Sequence, residues 1–245
     1  MTRVVTLLNQ KGGVGKSTLA MNLAAVRHAQ LATALEIPAG APSPVAVVSI
    51  DPQGSAEWWA ARMKICPFHL VQADDDPLDW LAALNQLPGI DEVYVDTPGW
   101  YNPTGRNAGG DGLGDSYTAD VLRTVLSVTD LVIVPVPVEP LTFDPAARTI
   151  GRLLDPQGIP YLFLLNNWDS RDGKLWVTET QAFARAAGLR LARTVVRRFK
   201  IHTNASAAGI VVTQYEKNRK NEAAIADFYA LADEVSTELM EGALV

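Results

Sequence analysis

The chain has 245 residues, 48% of them hydrophobic and 20% charged, and this composition excludes a disordered chain. Its formal net charge of −6 excludes a general attraction to nucleic acid or anionic lipid, and its single cysteine, Cys66, excludes an intrachain disulfide or a cysteine-rich metal site within one subunit. Because no apolar run is long enough for a membrane span and no signal-like segment precedes the first predicted strand, we expect a cytoplasmic protein.

Short apolar runs rich in β-branched residues alternate with helix-like segments along the chain. We predict strands at 3–8, 45–50, 68–73, 92–95, 131–136, 161–165 and 192–196. We predict helices at 17–35, 55–64, 77–87, 117–127, 143–154, 176–187 and 221–240. Near-continuous apolar strands are typical of a parallel sheet that is covered on both faces. The alternation therefore predicts a single α/β domain over 1–245, a doubly wound, mostly parallel sheet flanked by helices.

Two segments between these elements read as loop insertions. Residues 37–44, IPAGAPSP, contain three prolines and are expected to form an exposed connector. Residues 99–118 contain six glycines and follow a strand end, where α/β proteins build their ligand sites. A loop of this length is usually functional or mobile, although a passive surface loop is the alternative.

A phosphate-binding motif follows the first predicted strand. Residues 9–18 read NQKGGVGKST and fit the end of the pattern G-x-x-x-x-G-K-[ST], with Gln10 in place of its first glycine. A glycine-rich turn before a helix surrounds phosphates with backbone N–H groups. In this arrangement Lys16 would neutralise the β- and γ-phosphates and the Ser17 hydroxyl would ligate Mg²⁺, while Thr18 would reach the α-phosphate.

A second lysine, Lys11, lies at the front of the same loop, where the general pattern requires none. The string KGGVGKST resembles the deviant Walker A motif of the ParA/MinD ATPases. The resemblance implies that Lys11 acts in trans, on the ATP of a partner subunit in a nucleotide-sandwich homodimer. It also implies that ATP is held by the whole loop, through Lys11, Gly12, Gly13, Val14, Gly15, Lys16, Ser17 and Thr18.

Two further segments resemble the switch regions of this family. Residues 47–56, VVSIDPQGSA, match switch I, and Asp51 matches the aspartate that positions the attacking water and the Mg²⁺ shell. Ser49 stands where many relatives have a first aspartate, so one charge is missing near the site. Residues 92–99, EVYVDTPG, match a strand followed by switch II, and Asp96 matches the Walker B aspartate that holds Mg²⁺ through water. The resemblance thus implies catalytic roles for Lys11, Lys16 and Asp51 and metal-site roles for Ser17, Asp51 and Asp96.

The segment 162–174, LFLLNNWDSRDGK, follows a later strand. In the family this segment helps to hold adenine, and an asparagine amide suits the edge of a purine. Asn166 and Asn167 are both candidates, and either of them could instead cap the loop.

The region 190–220 is basic within an acidic chain. It holds eight lysines and arginines against one acid, Glu216, so its net charge is +7 and the remainder carries −13. Such an asymmetry suggests an anionic partner, and phosphate contacts give sequence-independent binding. The alternative is a solvated face, but ParA proteins bind nonspecific double-stranded DNA through basic residues in this part of the chain. The contacts predicted here are Arg197, Arg198, Lys200 and Arg219.

The resemblance implies a DNA-segregation ATPase of the ParA type, which partitions a plasmid, phage or chromosome. It would bind ATP and Mg²⁺, dimerise, associate with the nucleoid, and be released when a ParB-like centromere-binding protein stimulates its slow ATP hydrolysis. Because the first predicted strand starts at residue 3, we expect the small form without an N-terminal helix-turn-helix.

Three rival classes share this fold. A MinD-like membrane-cycling ATPase needs a basic amphipathic C-terminal helix, but residues 221–245 contain acids and neither lysine nor arginine, so we expect no membrane partner. Iron–sulfur carriers need paired cysteines, which Cys66 alone cannot supply. A bacterial tyrosine kinase needs a tyrosine-rich tail, which Tyr215 and Tyr229 do not make.

Overall fold

A computed structural model describes residues 1–100, 110–139, 142–219 and 221–242. The strands in this part of the chain are β1 Arg3–Leu7, β2 Val45–Ser49, β3 His69–Gln72, β4 Glu92–Asp96, β5 Leu131–Pro137, β6 Tyr161–Trp168 and β7 Leu191–Arg197. The α-helices are α1 Lys16–Ala34, α2 Ser55–Ala60, α3 Leu78–Ala82, α4 Tyr117–Ser127, α5 Phe143–Thr149, α6 Leu175–Ala186, α7 Lys200–Ala208 and α8 Glu222–Gly242.

The seven strands form one parallel sheet in the order β3-β2-β4-β1-β5-β6-β7. The chain starts near the middle of the sheet and winds outward in both directions, so the predicted doubly wound α/β fold is confirmed. Leu7 and Ser49 both lie level with Asp96 at the carboxyl ends of their strands. Parallel strands bring the loops after these ends to one edge of the sheet, which is where such folds bind ligands.

Both faces of the sheet are buried under helices, as near-continuous apolar strands predict. Along β1, Val5 and Leu7 face one core, which α1, α2, α7 and α8 cover. Val4 and the following Leu8 face the other core, which α3, α4, α5 and α6 cover. None of the helices in the described ranges combines the length and apolarity that a bilayer span requires.

Four elements differ from the sequence prediction. Helix α3 stops at Ala82 and a separate 3₁₀ turn follows it, while α5 widens into a π-helical turn over Ile150–Leu154. Strand β6 runs on to Trp168, and β7 is followed by α7, a helix that the sequence analysis missed. Threonine, asparagine and serine in KIHTNASAA are weak helix formers, and α7 buries only Ala205, so it has little apolar periodicity to detect.

Candidate nucleotide-binding site

The loop between β1 and α1 is shaped by two glycines and anchored by one buried asparagine. Gly13 and Gly15 have φ angles of 75° and 94°, a region that glycine enters without strain. The Asn9 side chain donates to the Pro135 carbonyl at 2.8 Å and accepts from the Lys11 N–H at 2.9 Å. It ties the loop to β5. The motif gave no role to Asn9, because its amide acts on the backbone of a distant strand.

Lys16 opens α1 and lies almost fully inside the loop, with 6% of its surface exposed. Its Nζ donates to the carbonyl oxygens of Asn9 at 3.2 Å and Lys11 at 3.3 Å. Burial lowers the pKa of this ammonium, while the charges of Asp96 and Asp51 raise it. Ser17 and Thr18 follow on the first turn of the helix. A helix N-terminus, a glycine loop and a buried ammonium together form an anion site of the kind that holds phosphates.

Asp51 and Asp96 supply the acidic side of this site. Asp51 follows β2, and its Oδ1 accepts from the Gln53 N–H at 3.0 Å. Asp96 ends β4 with no exposed surface, and its two carboxylate oxygens have no hydrogen-bond partner among the described residues. Burial raises the pKa of Asp96 to about 7; the charge of Asp51 adds to this shift, and Ser17 and Lys16 oppose it.

These residues suit a magnesium ion. The orphaned oxygens of Asp96, the Asp51 carboxylate and the Ser17 hydroxyl are the hard oxygen donors that Mg²⁺ prefers. In the described residues, no group of three or more histidine, cysteine or acidic side chains could by itself enclose a metal. Mg²⁺ is usually held by one or two carboxylates, waters and substrate phosphates, so this sparse set fits it. Ser49, level with Asp96, adds a second buried hydroxyl without a partner in the described structure.

Because the pKa of Asp96 is raised, the free energy of unfolding of the nucleotide-free protein should depend on pH. Below about pH 4 the carboxyl is protonated in both the folded and the unfolded chain and costs nothing. As the pH rises to about 7 the unfolded chain ionises first, so the free energy of unfolding falls by about 1.4 kcal/mol per pH unit and then levels off. Asp96→Asn should therefore stabilise the nucleotide-free protein at pH 8 but not at pH 4. Urea unfolding in EDTA measures this difference, and equal midpoint shifts at both pH values would contradict it.

The two candidate asparagines have different environments. Asn166 is buried, and its Nδ2 donates to the Val14 carbonyl at 2.7 Å. A Cβ atom on Gly15 would lie 2.6 Å from that nitrogen, so Asn166 also explains why this position is a glycine. Asn167 is exposed, adopts a left-handed φ of 57° and lines a cavity beside the loop. The geometry gives Asn166 a role in holding the loop and places Asn167 on the wall of the second cavity.

Two cavities flank the phosphate loop and share part of its backbone. The first, of about 540 Å³, contains Lys16, Ser17 and Asp51, and its wall is completed by residues that the sequence analysis did not assign: Gln53, Ser55, Trp58, Trp59, Gly99 and Ser206. The second, of about 480 Å³, lies on the other side of the loop. Its wall contains Lys11, Asn167 and Arg198, together with the unassigned Pro137, Glu139, Phe199, His202, Thr203 and Ser206.

Gly99 brings the start of the 99–118 loop against the phosphate loop. A Cβ atom there would lie 3.0 Å from the Gln10 carbonyl and 3.1 Å from the Gly12 nitrogen, and the Trp100 N–H donates to the same Gln10 carbonyl at 3.1 Å. The sequence Thr-Pro-Gly after β4 therefore makes direct backbone contact with the loop. Residues 101–109 of the predicted functional loop lie outside the described ranges.

Lys11 is placed quite differently from Lys16. Its side chain is 40% exposed, and its Nζ lies 4.0 Å from the carboxylate of Glu139, which is itself mostly exposed. The Lys11 ammonium thus rests at the mouth of the second cavity, not within its own phosphate loop. Lys11 contributes to the loop through its backbone, whose N–H donates to Asn9 and whose carbonyl accepts from Lys16.

Part of the positive charge of residues 190–220 is paired with acidic side chains in the folded structure. Three arginines of the β7 segment form ion pairs with acids of α8: Arg190 with Glu238, Arg193 with Glu234, and Arg197 with Asp227. The buried Asp227 and Glu234 also accept backbone N–H groups of β7, the edge strand of the sheet. The acids of the last helix therefore neutralise much of the +7 that the sequence places between residues 190 and 220.

The four predicted DNA contacts fall into three groups. The Arg197 guanidinium is held by Asp227 at 2.6 Å and by the Ala223 carbonyl at 3.1 Å, so it is poorly available for DNA. Arg198 lines the second cavity beside the phosphate loop. Lys200 and Arg219 are exposed, as is Lys217, while Lys220 lies outside the described ranges. Arg198 is exposed as well, so three of the four residues present accessible charges, and their contact with DNA stays a prediction.

The fold and the site define a P-loop protein with a doubly wound parallel sheet and a built phosphate-binding loop. The family model for the CobQ/CobB/MinD/ParA nucleotide binding domain matches residues 5–241, and the chain belongs to this family. The chain is 31% identical over 238 residues to the maintenance of carboxysome distribution protein A of Gloeobacter kilaueensis. The matched region spans 96% of this chain and 95% of that protein. The predicted ParA/MinD membership is therefore confirmed.

Solved structures show the same fold at low identity. The septum site-determining protein MinD of Pyrococcus horikoshii, complexed with Mg-ADP, is 15% identical, with a TM-score of 0.68 and full coverage of both chains. Apo McdA of Cyanothece is 13% identical, with a TM-score of 0.65, over 96% of this chain and 100% of that one. Cobyrinic acid a,c-diamide synthase of Mycobacterium smegmatis, with bound ADP and magnesium, is 19% identical, with a TM-score of 0.63, over 99% of this chain and 97% of that one.

Proposed function

We propose that this chain is an ATP-dependent positioning ATPase of the ParA type, built as one P-loop domain over residues 1–245. ATP and Mg²⁺ bind between two subunits, and the dimer binds nonspecific DNA on the nucleoid. A partner protein on the cargo then stimulates slow hydrolysis of ATP to ADP and phosphate, which releases the dimer. Relatives crystallised with adenine nucleotides and magnesium, and the relative named for carboxysome distribution, support this reading.

The position of Lys11 carries the proposal. A lysine that served its own nucleotide would lie inside the loop, as Lys16 does. Lys11 instead holds its ammonium at the exposed mouth of the second cavity, on a single ion pair with Glu139 at 4.0 Å. An exposed pair of this kind is worth little, so a more favourable anion can replace Glu139 as its partner. The phosphates of a facing subunit are such an anion, and this makes ATP part of the dimer interface.

The remaining residues act within one subunit. Backbone N–H groups of the loop and the Lys16 ammonium bind the β- and γ-phosphates, and Ser17, Asp51 and Asp96 would hold Mg²⁺ directly or through water. When bound, the ion neutralises the charge that develops on the phosphates. Asn167 and the wall of the second cavity bind the nucleoside.

Asp51 positions the attacking water. Among the described residues it is the one carboxylate on the wall of the first cavity, and none of those wall residues is a histidine. Its Oδ1 is already engaged by the Gln53 N–H, so one oxygen remains to orient a water toward the γ-phosphate. No second carboxylate or histidine accompanies Asp51 as a general base among the described residues of this wall, which fits slow basal hydrolysis that a partner stimulates.

The cargo has two candidate classes. A ParB-like protein on a DNA centromere would make this a partition ATPase, as the sequence analysis expects. The relationship to a carboxysome distribution protein favours a protein assembly as cargo instead, with a different adaptor protein. Both classes use the same switch, an ATP dimer that holds DNA and is released by the adaptor.

The first test is binding of a fluorescent random-sequence duplex at about 100 mM salt, without nucleotide, with ADP, and with ATP–Mg²⁺. We expect tight, salt-sensitive binding only with ATP–Mg²⁺. The double variant Lys200→Ala/Arg219→Ala should weaken binding and reduce the salt slope by about 2, whereas Lys64→Ala, an exposed lysine outside the basic region, should not. Absence of binding in every state would overturn the DNA role, and titration with anionic vesicles would then test the MinD-like alternative.

A further inference from the structure

Helix α7, which begins with the exposed Lys200, is followed by a short segment, Gly209–Gln214, that contacts both α1 and α2 beside the nucleotide site. We propose that this segment transmits the nucleotide state to the DNA-binding surface and that Trp59 is its positioning residue. The inference rests on the proposed function, because it concerns how ATP sets the affinity for DNA.

Helix α2 is the part of the linkage closest to the nucleotide. It starts four residues after Asp51, behind a turn in which the Gly54 N–H donates to the Asp51 carbonyl at 2.9 Å. Ser55, Trp58 and Trp59 of this helix line the first cavity, so a ligand that fills the cavity contacts α2 directly. With six residues, α2 is too short to bend and would move as one piece.

Helix α2 and the turn that follows it pack closely against the end of α7. Gly209, which ends α7 with a φ of 63°, lies so close to α2 that a Cβ atom there would be 2.0 Å from the Arg62 carbonyl. The Trp59 Nε1–H donates to the Ile210 carbonyl at 3.1 Å. The Gln214 Nε2 donates to the Ile65 carbonyl at 3.2 Å, just beyond α2. A displacement of α2 must therefore displace the Gly209–Gln214 segment.

The same segment is tied to the helix of the phosphate loop. The Val212 N–H donates to the Asn22 Oδ1 at 2.7 Å, and the Asn22 Nδ2 donates to the Thr18 carbonyl on the first turn of α1. Because the segment is held by α1, a movement of α2 changes the position of α7 relative to α1. Helix α7 carries the exposed Lys200 at its first position and Ser206 on the wall of both cavities. Packed elements with two discrete arrangements are a physical route for such coupling.

The test compares the affinity for duplex DNA in ATP–Mg²⁺ with that in ADP, at nucleotide concentrations that saturate each variant. Trp59→Phe keeps an aromatic ring in the core but removes the indole N–H. We expect it to reduce the ratio of the two affinities about tenfold, with a smaller reduction for Gln214→Met. Trp80→Phe, on the opposite face of the sheet, is the matched control and should keep the native ratio.

The outcomes separate the linkage from the proposed function. If Trp59→Phe keeps the native ratio, or loses ATP-dependent dimerisation in sedimentation, Trp59 does not act through α7 and the inference is wrong. A merely structural role would lower the melting temperature without changing the ratio below it, which also overturns the inference. If the native chain itself shows no ATP-dependent binding, the proposed function fails first, and the linkage fails with it.

Discussion

Replacing Lys11 with alanine is expected to abolish ATP-dependent dimerisation and to lower ATP hydrolysis about 10³-fold, while nucleotide binding stays detectable. The structure gives the reason for this split. Among the described residues, the Lys11 ammonium pairs only with Glu139, so removing it should leave the loop, Lys16 and the acidic side of the site intact. The expected magnitude is that of a cation supplied in trans to a developing phosphate charge.

Light scattering of the eluted protein in ATP–Mg²⁺ measures dimerisation, and equilibrium titration with a fluorescent ATP analogue measures binding. Lys64→Ala, which removes an exposed lysine of α2's following turn, should dimerise and hydrolyse ATP normally. If the Lys11→Ala protein dimerises like the native chain, Lys11 does not act on the ATP of the partner subunit. Loss of nucleotide binding as well as dimerisation would show that Lys11 serves its own subunit.

The features predicted well from sequence are those that depend on local chemistry. Apolar strands, glycines before a helix and acids at strand ends are readable because each is set by neighbouring residues in the chain. The parallel sheet followed from that pattern, and the grouping of Lys16 with Asp51 and Asp96 followed from the resemblance to the ParA/MinD ATPases. Helix α7 was missed because KIHTNASAA has weak propensity and buries one residue, so its stability depends on tertiary packing, such as that of His202 on Tyr215 and Phe228.

The features that sequence reasoning misjudged depend on distant partners. Arg197 looked like a DNA contact until α8 placed Asp227 against it, 30 residues later in the chain. Asn166 and Asn167 are adjacent and chemically identical, yet one holds the loop and the other faces a cavity, because side chains alternate along β6. A charge count along the chain cannot detect the neutralisation of β7 by α8.

Ser49 is another residue whose surroundings the sequence does not reveal. The sequence shows a hydroxyl where relatives carry an aspartate, but not what surrounds it. The structure places it level with Asp96, buried and without a partner among the described residues. With one carboxylate fewer at this edge, more of the interaction with the ion falls to Asp51 and Asp96.

Removing the Asp51 carboxylate should stop the cycle after DNA binding. Asp51→Ala is expected to lower ATP hydrolysis by about 10²- to 10⁴-fold and to trap a DNA-bound ATP dimer, since Lys11, Lys16 and the basic surface are untouched. The Asp51 Oδ1 also accepts the Gln53 N–H, so alanine removes a turn contact as well as a charge. Asp51→Asn keeps an acceptor for that N–H and isolates the role of the charge.

Phosphate release and the lifetime of the DNA complex, both measured in excess ATP–Mg²⁺, test this prediction. Both Asp51 variants should release phosphate slowly and stay on DNA, while Asp75→Ala, which removes an exposed aspartate after β3, should cycle like the native chain. Rapid turnover in Asp51→Asn would assign the water to another group. If Asp51→Ala fails to bind DNA but Asp51→Asn binds and stalls, the residue has two roles: its hydrogen-bond acceptor shapes the turn before α2, and its charge orients the water.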